Sequence, residues 1–164
     1  MRPVVPLVAL ALSAAPMLGA CGALSAIPVD ADVTYDRARG GTLVVGVSEH
    51  PPWVDIDEES GRATGIEADL VTSFAEGIDA EVEWRPGPES VLATGIKDGQ
   101  LDLVIGGLTT SAPWSSHMAL TRPYASVPSA GGNEEKMVMG VRMGENELLV
   151  ELERHLARAQ GEVR

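Results

Sequence analysis

The sequence predicts an α/β domain with an open, mostly parallel sheet and flanking helices. Three observations carry that expectation. Short runs of Val, Leu and Ile alternate with stretches whose apolar residues recur every four positions. Gly, Pro, Asp and Asn mark each change from one pattern to the other. The 164 residues, with 18 glycines, 11 prolines and 45% hydrophobic content, suit one loop-rich domain with a single core. They suit neither a coiled coil nor an acidic disordered tail. Lys+Arg 12 against Asp+Glu 24 gives a net charge of −12, which opposes nucleic-acid binding because phosphate contacts need basic groups. No Lys/Arg patch is present to hold an anionic lipid surface.

The N-terminal residues 1–20 read as an address. Met1-Arg2 precedes an uncharged run from Pro3 to Met17, and small residues follow. This is the layout of a secretory signal peptide. The run is too short and too broken by Pro3, Pro6 and Pro16 to make a good membrane span. It ends in Leu18-Gly19-Ala20-Cys21, which resembles the bacterial lipobox and contains the single cysteine of the chain. That resemblance implies cleavage before Cys21, diacylglycerol on its thiol and further acylation of the palmitate type. Two or three such chains anchor firmly, at about 0.8 kcal/mol per buried CH₂. Residues 21–41 then read as the lipidated cysteine and a tether, since they carry Pro28, scattered Asp and no period.

Thr42-Leu-Val-Val-Gly-Val47 is a continuous β-rich run, as a strand buried on both faces would be. A loop from Ser48 to Gly65 follows, and its cluster Asp55, Asp57, Glu58 and Glu59 reads as a solvated hairpin because it lacks calcium-loop register. Ile66, Leu70 and Phe74, with Val71 and Ala75, make an amphipathic helix closed by Gly77. Glu67 and Asp69 lie in its first turn, where carboxylates suit the helix dipole. Ala80 to Arg85 alternates as a strand, and Glu89 to Lys97 is a short helix closed by Asp98-Gly99. Leu101 to Ile105 is a third buried strand, ended by Gly106-Gly107. Such alternation implies parallel pairing through right-handed crossovers. In the tail, residues 125–136 read as a connector and Met137 to Val141 as a strand. Asn146 is placed to cap a helix lined by Leu148, Leu152 and Leu156, running to about Gln160. His155, four residues after Glu151, is expected to form a solvated pair with it.

In an open parallel sheet, ligands bind beyond the carboxyl ends of the strands. Those loops carry Glu49-His50-Pro51-Pro52-Trp53 and Gly106-Gly107-Leu108-Thr109-Thr110-Ser111-Ala112-Pro113-Trp114. Glycines let a ligand approach the backbone, hydroxyls bond it, and indole faces stack on flat or cationic groups. The same residues can instead make a turn and close the edge of the core. Neither GxxxxGK[ST] nor GxGxxG occurs, so nucleotide binding has no support. Ser115, Ser116 and His117 are adjacent without a GxSxG elbow. His50, His117 and His155 lack metal-ligand spacing, so neither a metal nor any other cofactor is expected.

The motifs from Gly41 to Tyr124 resemble the first lobe of the extracellular solute-binding proteins of family 3, receptors of polar amino-acid ABC transporters. They are Thr42 to Ser48, His50-Pro-Pro-Trp53, Gly65-Ile-Glu-Ala-Asp-Leu70, Gly99-Gln-Leu-Asp-Leu-Val-Ile105, Gly107-Leu-Thr109 and Thr121-Arg-Pro-Tyr124, in the family's order. The resemblance implies a type II periplasmic-binding-protein fold. On this reading residues 42–124 form lobe one and residues 137–164 return to complete it. The family carries a whole second lobe where this chain has only residues 125–136. It also usually has an arginine, for the ligand α-carboxylate, at the position of Trp114.

The expected protein is therefore a lipid-anchored, non-enzymatic solute-binding component of an ABC importer, on the outer (periplasmic) face of the cell membrane. It would bind a small polar or amino-acid-like solute, with His50, Trp53, Gly107, Leu108, Thr109 and Trp114 at the rim. Trp53 would stack, Gly107 and Leu108 would offer backbone groups, and Thr109 a hydroxyl. A cationic or aromatic solute would suit His50, Trp53 and Trp114. Permease subunits are the expected partners, the membrane is met through the anchor alone, and a monomer is expected. The alternatives are a single-lobe module that binds a partner protein, and a degenerate receptor. An enzyme is disfavoured, because relatives of this fold that act as dehydratases place their chemistry between two lobes.

Overall fold

A computed structural model describes residues 30–129 and 131–161. The expected signal peptide, Cys21 and the first part of the expected tether lie outside the described residues. The elements run α1 (Thr34–Ala38), β1 (Thr42–Val47), β2 (Asp55–Ile56), β3 (Ala63–Thr64), α2 (Ile66–Gly77) and β4 (Glu81–Pro86). Next come α3 (Glu89–Lys97), β5 (Leu103–Ile105), β6 (Met118–Leu120), β7 (Ala125–Pro128), β8 (Glu134–Met137), β9 (Gly140–Arg142) and α4 (Asn146–Gln160).

Alternation along β1 sorts the core into two layers. Leu43, Val45 and Val47 face α1, α2 and α4, in one apolar cluster with Phe74, Leu103, Ile105, Val141 and Leu152. Val44 packs on the other face, where Leu92 and Ile96 of α3 meet Val104, Leu108 and Met118. The sheet order is β4-β1-β5-β9-β6. β4, β1 and β5 are parallel, joined through α2 and α3 as the alternation predicts, whereas β9 pairs antiparallel with both β5 and β6. The fold is the mixed α/β, mostly parallel architecture read from the sequence.

Four local departures have physical causes. Residues 30–41, expected to belong to a tether, hold α1, because its Tyr35 and Ala38 bury against the core and its first N–H groups are met by buried carboxylates. Asp30 Oδ2 accepts the Tyr35 N–H at 2.7 Å, and its Oδ1 accepts those of Glu147 and Leu148 at 2.6 and 3.0 Å. The cap of α4 therefore comes from Asp30, 116 positions away from Asn146 in the chain, and not from Asn146 itself. Glu145, also buried, reciprocates by accepting the Asp32 and Thr34 N–H groups. The guanidinium of Arg142 lies among Glu145, Asp102 and Asp32, and Arg37 meets Asp102 at 2.5 Å.

The second departure lies in residues 125–136, which form most of an antiparallel hairpin, β7–β8, with Ala125 opposite Met137 and Pro128 opposite Glu134. Met137 is taken up by that ribbon, so the returning strand begins only at Gly140. Third, β6 is too short, at three residues, to leave a sequence pattern. The acidic segment does fold as a hairpin, β2–β3, where bonds from Ser60 hold the Asp57 carboxyl below the usual range.

The fourth departure is His155. Its expected partner Glu151 pairs with Arg154 at 2.5 Å, and the imidazole packs edge-on to Phe74, with ring centroids 5.7 Å apart. Among the described residues its Nε2 has no hydrogen-bond partner. Burial first, then the charge of Arg158, pushes the His155 pKa below its ordinary value, against a hydrogen bond to the Leu70 backbone. The folded state thus takes up this proton at lower pH than the unfolded chain does. The resulting stability is present above about pH 6.5 and is lost as pH falls through the folded value. His155→Leu is expected to flatten the acid side of a plot of Tm against pH. An unchanged slope would show that His155 is solvated.

Candidate functional site

The carboxyl ends of three parallel strands supply three loops to one edge of the sheet. The ends are tied together through the backbone: the Ser48 N–H donates to the Ile105 carbonyl and the Gly87 N–H to the Val47 carbonyl, both at 3.0 Å. After β1 the chain turns tightly. The His50 carbonyl accepts the N–H groups of Trp53 and Val54, and the His50 N–H donates to the Val54 carbonyl. This turn then caps α2, whose Ile66 and Glu67 N–H groups donate to the carbonyls of Pro52 and Trp53.

Glu67 ties the first loop to the third. Its side chain is fully buried, and Oε2 accepts the N–H groups of Gly106 at 2.8 Å and Gly107 at 2.9 Å. Its Oε1 accepts the Tyr124 hydroxyl at 2.5 Å. Burial pushes the Glu67 carboxyl up, while the three donors and the nearby His50 oppose that shift. Burial and the Glu67 carboxylate together raise the Tyr124 hydroxyl far above its ordinary range, which keeps it a donor. Tyr124 also takes the edge of Trp53, with centroids 6.2 Å apart and planes at 78°. Glu67 thus joins the first loop, through its N–H on the Trp53 carbonyl, to the third loop and the base of the β7–β8 hairpin, through its carboxylate.

The two glycines admit this arrangement. Gly106 and Gly107 have φ of 149° and 69°. A Cβ on Gly106 would lie 2.7 Å from Ser48 Cβ, and one on Gly107 would lie 2.9 Å from His50 Cγ. Both positions need the missing side chain for conformation and for space.

The rim residues expected from the sequence divide into three groups. His50 is exposed with Gly107 against its ring, Trp53 is half-buried against Tyr124, and Thr109 is half-buried and bridges to Met137. Leu108 is 2% exposed, its side chain fills the second apolar cluster, and its carbonyl accepts the Val138 N–H at 2.9 Å. Leu108 therefore builds the loop, and the Gly107 N–H is already committed to Glu67. Trp114 packs on the α3 side of the sheet, opposite the layer that holds Trp53. Its indole N–H donates to Glu89 Oε2 at 2.9 Å, and its ring meets His117 edge-on at 5.8 Å.

Reading by sequence alone missed the roles of Glu67, Tyr124 and Glu89. A local reading gives Glu67 to the helix dipole, because the N–H groups it accepts from lie 39 and 40 positions downstream. The local signal is an acid on the helix face that Leu70, Val71 and Phe74 make apolar, which points to a buried carboxylate without naming its donors. Among the described residues there is no group of three or more His, Cys, Asp or Glu able to hold a metal ion. No described helix is long and apolar enough to cross a membrane.

This fold matches domain 1 of type II periplasmic binding proteins. Residues 43–162 match the bacterial extracellular solute-binding proteins, family 3, and the chain belongs to that family. A curated relative, the arginine-binding periplasmic protein of Mannheimia haemolytica, is 23% identical over 87 residues. That match covers 53% of this chain and 36% of the relative, so the chain spans about a third of its length. Among solved structures, the arginine-bound form of domain 1 from TmArgBP is similar at a TM-score of 0.64 and 25% identity, covering 75% of this chain and 97% of that one. The ancestral amino acid-binding protein AncCDT-1, a precursor of cyclohexadienyl dehydratase, is similar at a TM-score of 0.66 and 15% identity, covering 79% of this chain and 93% of that one.

Proposed function

We propose that this chain is the extracytoplasmic solute-binding component of an ABC importer, anchored through acylated Cys21 and taking a small polar or amino-acid-like solute without chemistry. What supports this reading is the set of bonds from Gly106, Gly107 and Tyr124 to Glu67, which holds the loop that carries Thr109 against the helix that follows His50 and Trp53. Such pre-organisation lowers the ordering cost of binding. The TmArgBP domain similar to this chain is itself a lone first domain bound to arginine, which supports binding by one lobe. A lone lobe leaves one ligand face in water, so its affinity should be lower than that of a two-lobed clamp.

The test is a thermal-shift panel on the full chain in mild detergent, using polar amino acids, quaternary amines and small peptides. Ligand at 100 times its Kd should stabilise the fold by about 2.7 kcal/mol. Trp53→Ala is expected to keep a cooperative transition and lose that response. No shift with any class, from a protein that unfolds cooperatively, would sink the solute reading and leave a module that binds a partner protein.

A further inference from the structure

We infer that the solute of this edge is an organic cation bound without a carboxylate anchor, an amine, guanidine or quaternary ammonium, rather than a zwitterionic amino acid. The inference rests on the solute-binding reading above and concerns the charge of that same site. The loops that reach the edge, residues 48–54, 87–88 and 106–117, contain Glu49 and neither Lys nor Arg, and Glu89 opens α3 directly after the second of them. The adjoining β7–β8 hairpin adds one lysine, Lys136, alongside Glu134 and Glu135. A ligand carboxylate placed here meets no guanidinium within these loops, and it meets carboxylates instead. Charge-assisted bonds are the strong ones, so that absence decides which end of a ligand is held.

The aromatic residues favour the same sign of charge. Trp53 and Trp114, each half-buried, pack against opposite layers of the sheet, so a ligand at this edge meets one indole and not both. Indole faces attract cations through the ring quadrupole, more strongly as water is excluded. Glu89 Oε2 accepts the Trp114 N–H at 2.9 Å, which fixes a carboxylate beside that indole. The backbone N–H groups of Gly106 and Gly107, donors of the kind that receive an anion, are already taken by Glu67. Aromatic faces, a positioned carboxylate and occupied amide donors together describe a receptor for positive charge.

Agmatine and arginine test this directly, because they share the guanidinium and chain and differ by the carboxylate. Titration calorimetry on the full chain in detergent should show agmatine binding at least tenfold tighter than arginine. Glu89→Gln keeps an acceptor for the Trp114 N–H and removes the charge, so it should fold and lose most of that preference. Choline against glycine betaine should repeat the order with a quaternary head group. Arginine binding as tightly as agmatine or tighter would overturn the inference and leave the solute-binding reading intact. A preference that survives Glu89→Gln would overturn the role of this edge. No heat with any of the four, together with no response in the wider panel, would overturn both readings.

Discussion

Glu67→Ala is expected to lower stability by about 3–4 kcal/mol and to abolish any ligand response. The size follows from what the substitution leaves behind. Three donors lose their acceptor, two of them N–H groups in a buried loop and one a buried hydroxyl, and each unsatisfied group costs about 1–3 kcal/mol. Relief of a desolvated carboxylate offsets part of that cost, which keeps the sum below the simple total. Tyr124→Phe removes one donor and leaves the glycine loop held, so about 1 kcal/mol is expected. Glu67→Gln restores one acceptor but turns an amide N–H₂ toward donors, and should fall between the two. Urea midpoints at constant m measure all three. A Glu67→Ala protein as stable as its parent would mean that Gly106 and Gly107 are not held by this carboxylate.

Asp30→Ala should cost about 2–3 kcal/mol, although sequence reading places the residue in a dispensable tether. A cap is worth about 0.5–2 kcal/mol, and this side chain serves two helices at once. Asp30→Asn keeps one acceptor oxygen and should recover roughly half of the loss. A chain beginning at Gly41 should be worse than either, because it also strips Tyr35 and Ala38 from the core. Denaturant unfolding of the three proteins decides the matter. If the shortened chain matched its parent, residues 30–40 would be a tether after all.

What was legible in the sequence was local. β1 announces itself as a continuous β-rich run, and α2 and α4 through apolar residues four apart, because each buries a face whose period its own residues write. The glycine pair marked the third loop for the same reason: its backbone conformation is a property of those two residues. What escaped was set by contacts between distant segments. No pattern near Asn146 reveals that Asp30 caps α4, and none near Glu67 reveals that Gly106 and Gly107 donate to it. The hairpin at 125–137 is hidden because its strands carry Pro128, Glu134 and Glu135, and only Ala125, Val127 and Met137 reach the core, too few to write a period. Leu108 and Trp114 were read as rim residues from their neighbours in the chain, while packing drew one into the core and the other to α3.

The β7–β8 hairpin also makes the lobe a natural host for spliced-in sequence. Its chain leaves at Ser129 and returns at Asn133 with those residues joined by a 2.7 Å backbone hydrogen bond. Any guest domain whose own termini lie close together can be inserted between them without lengthening or twisting either ribbon strand. The foot of the ribbon adjoins the third loop, where Thr109 bridges to Met137, and the port lies at its other end, beyond the Pro128–Glu134 pair. One cut and two ligations at that port would therefore add a guest to this lobe without touching the strands that join it to the sheet.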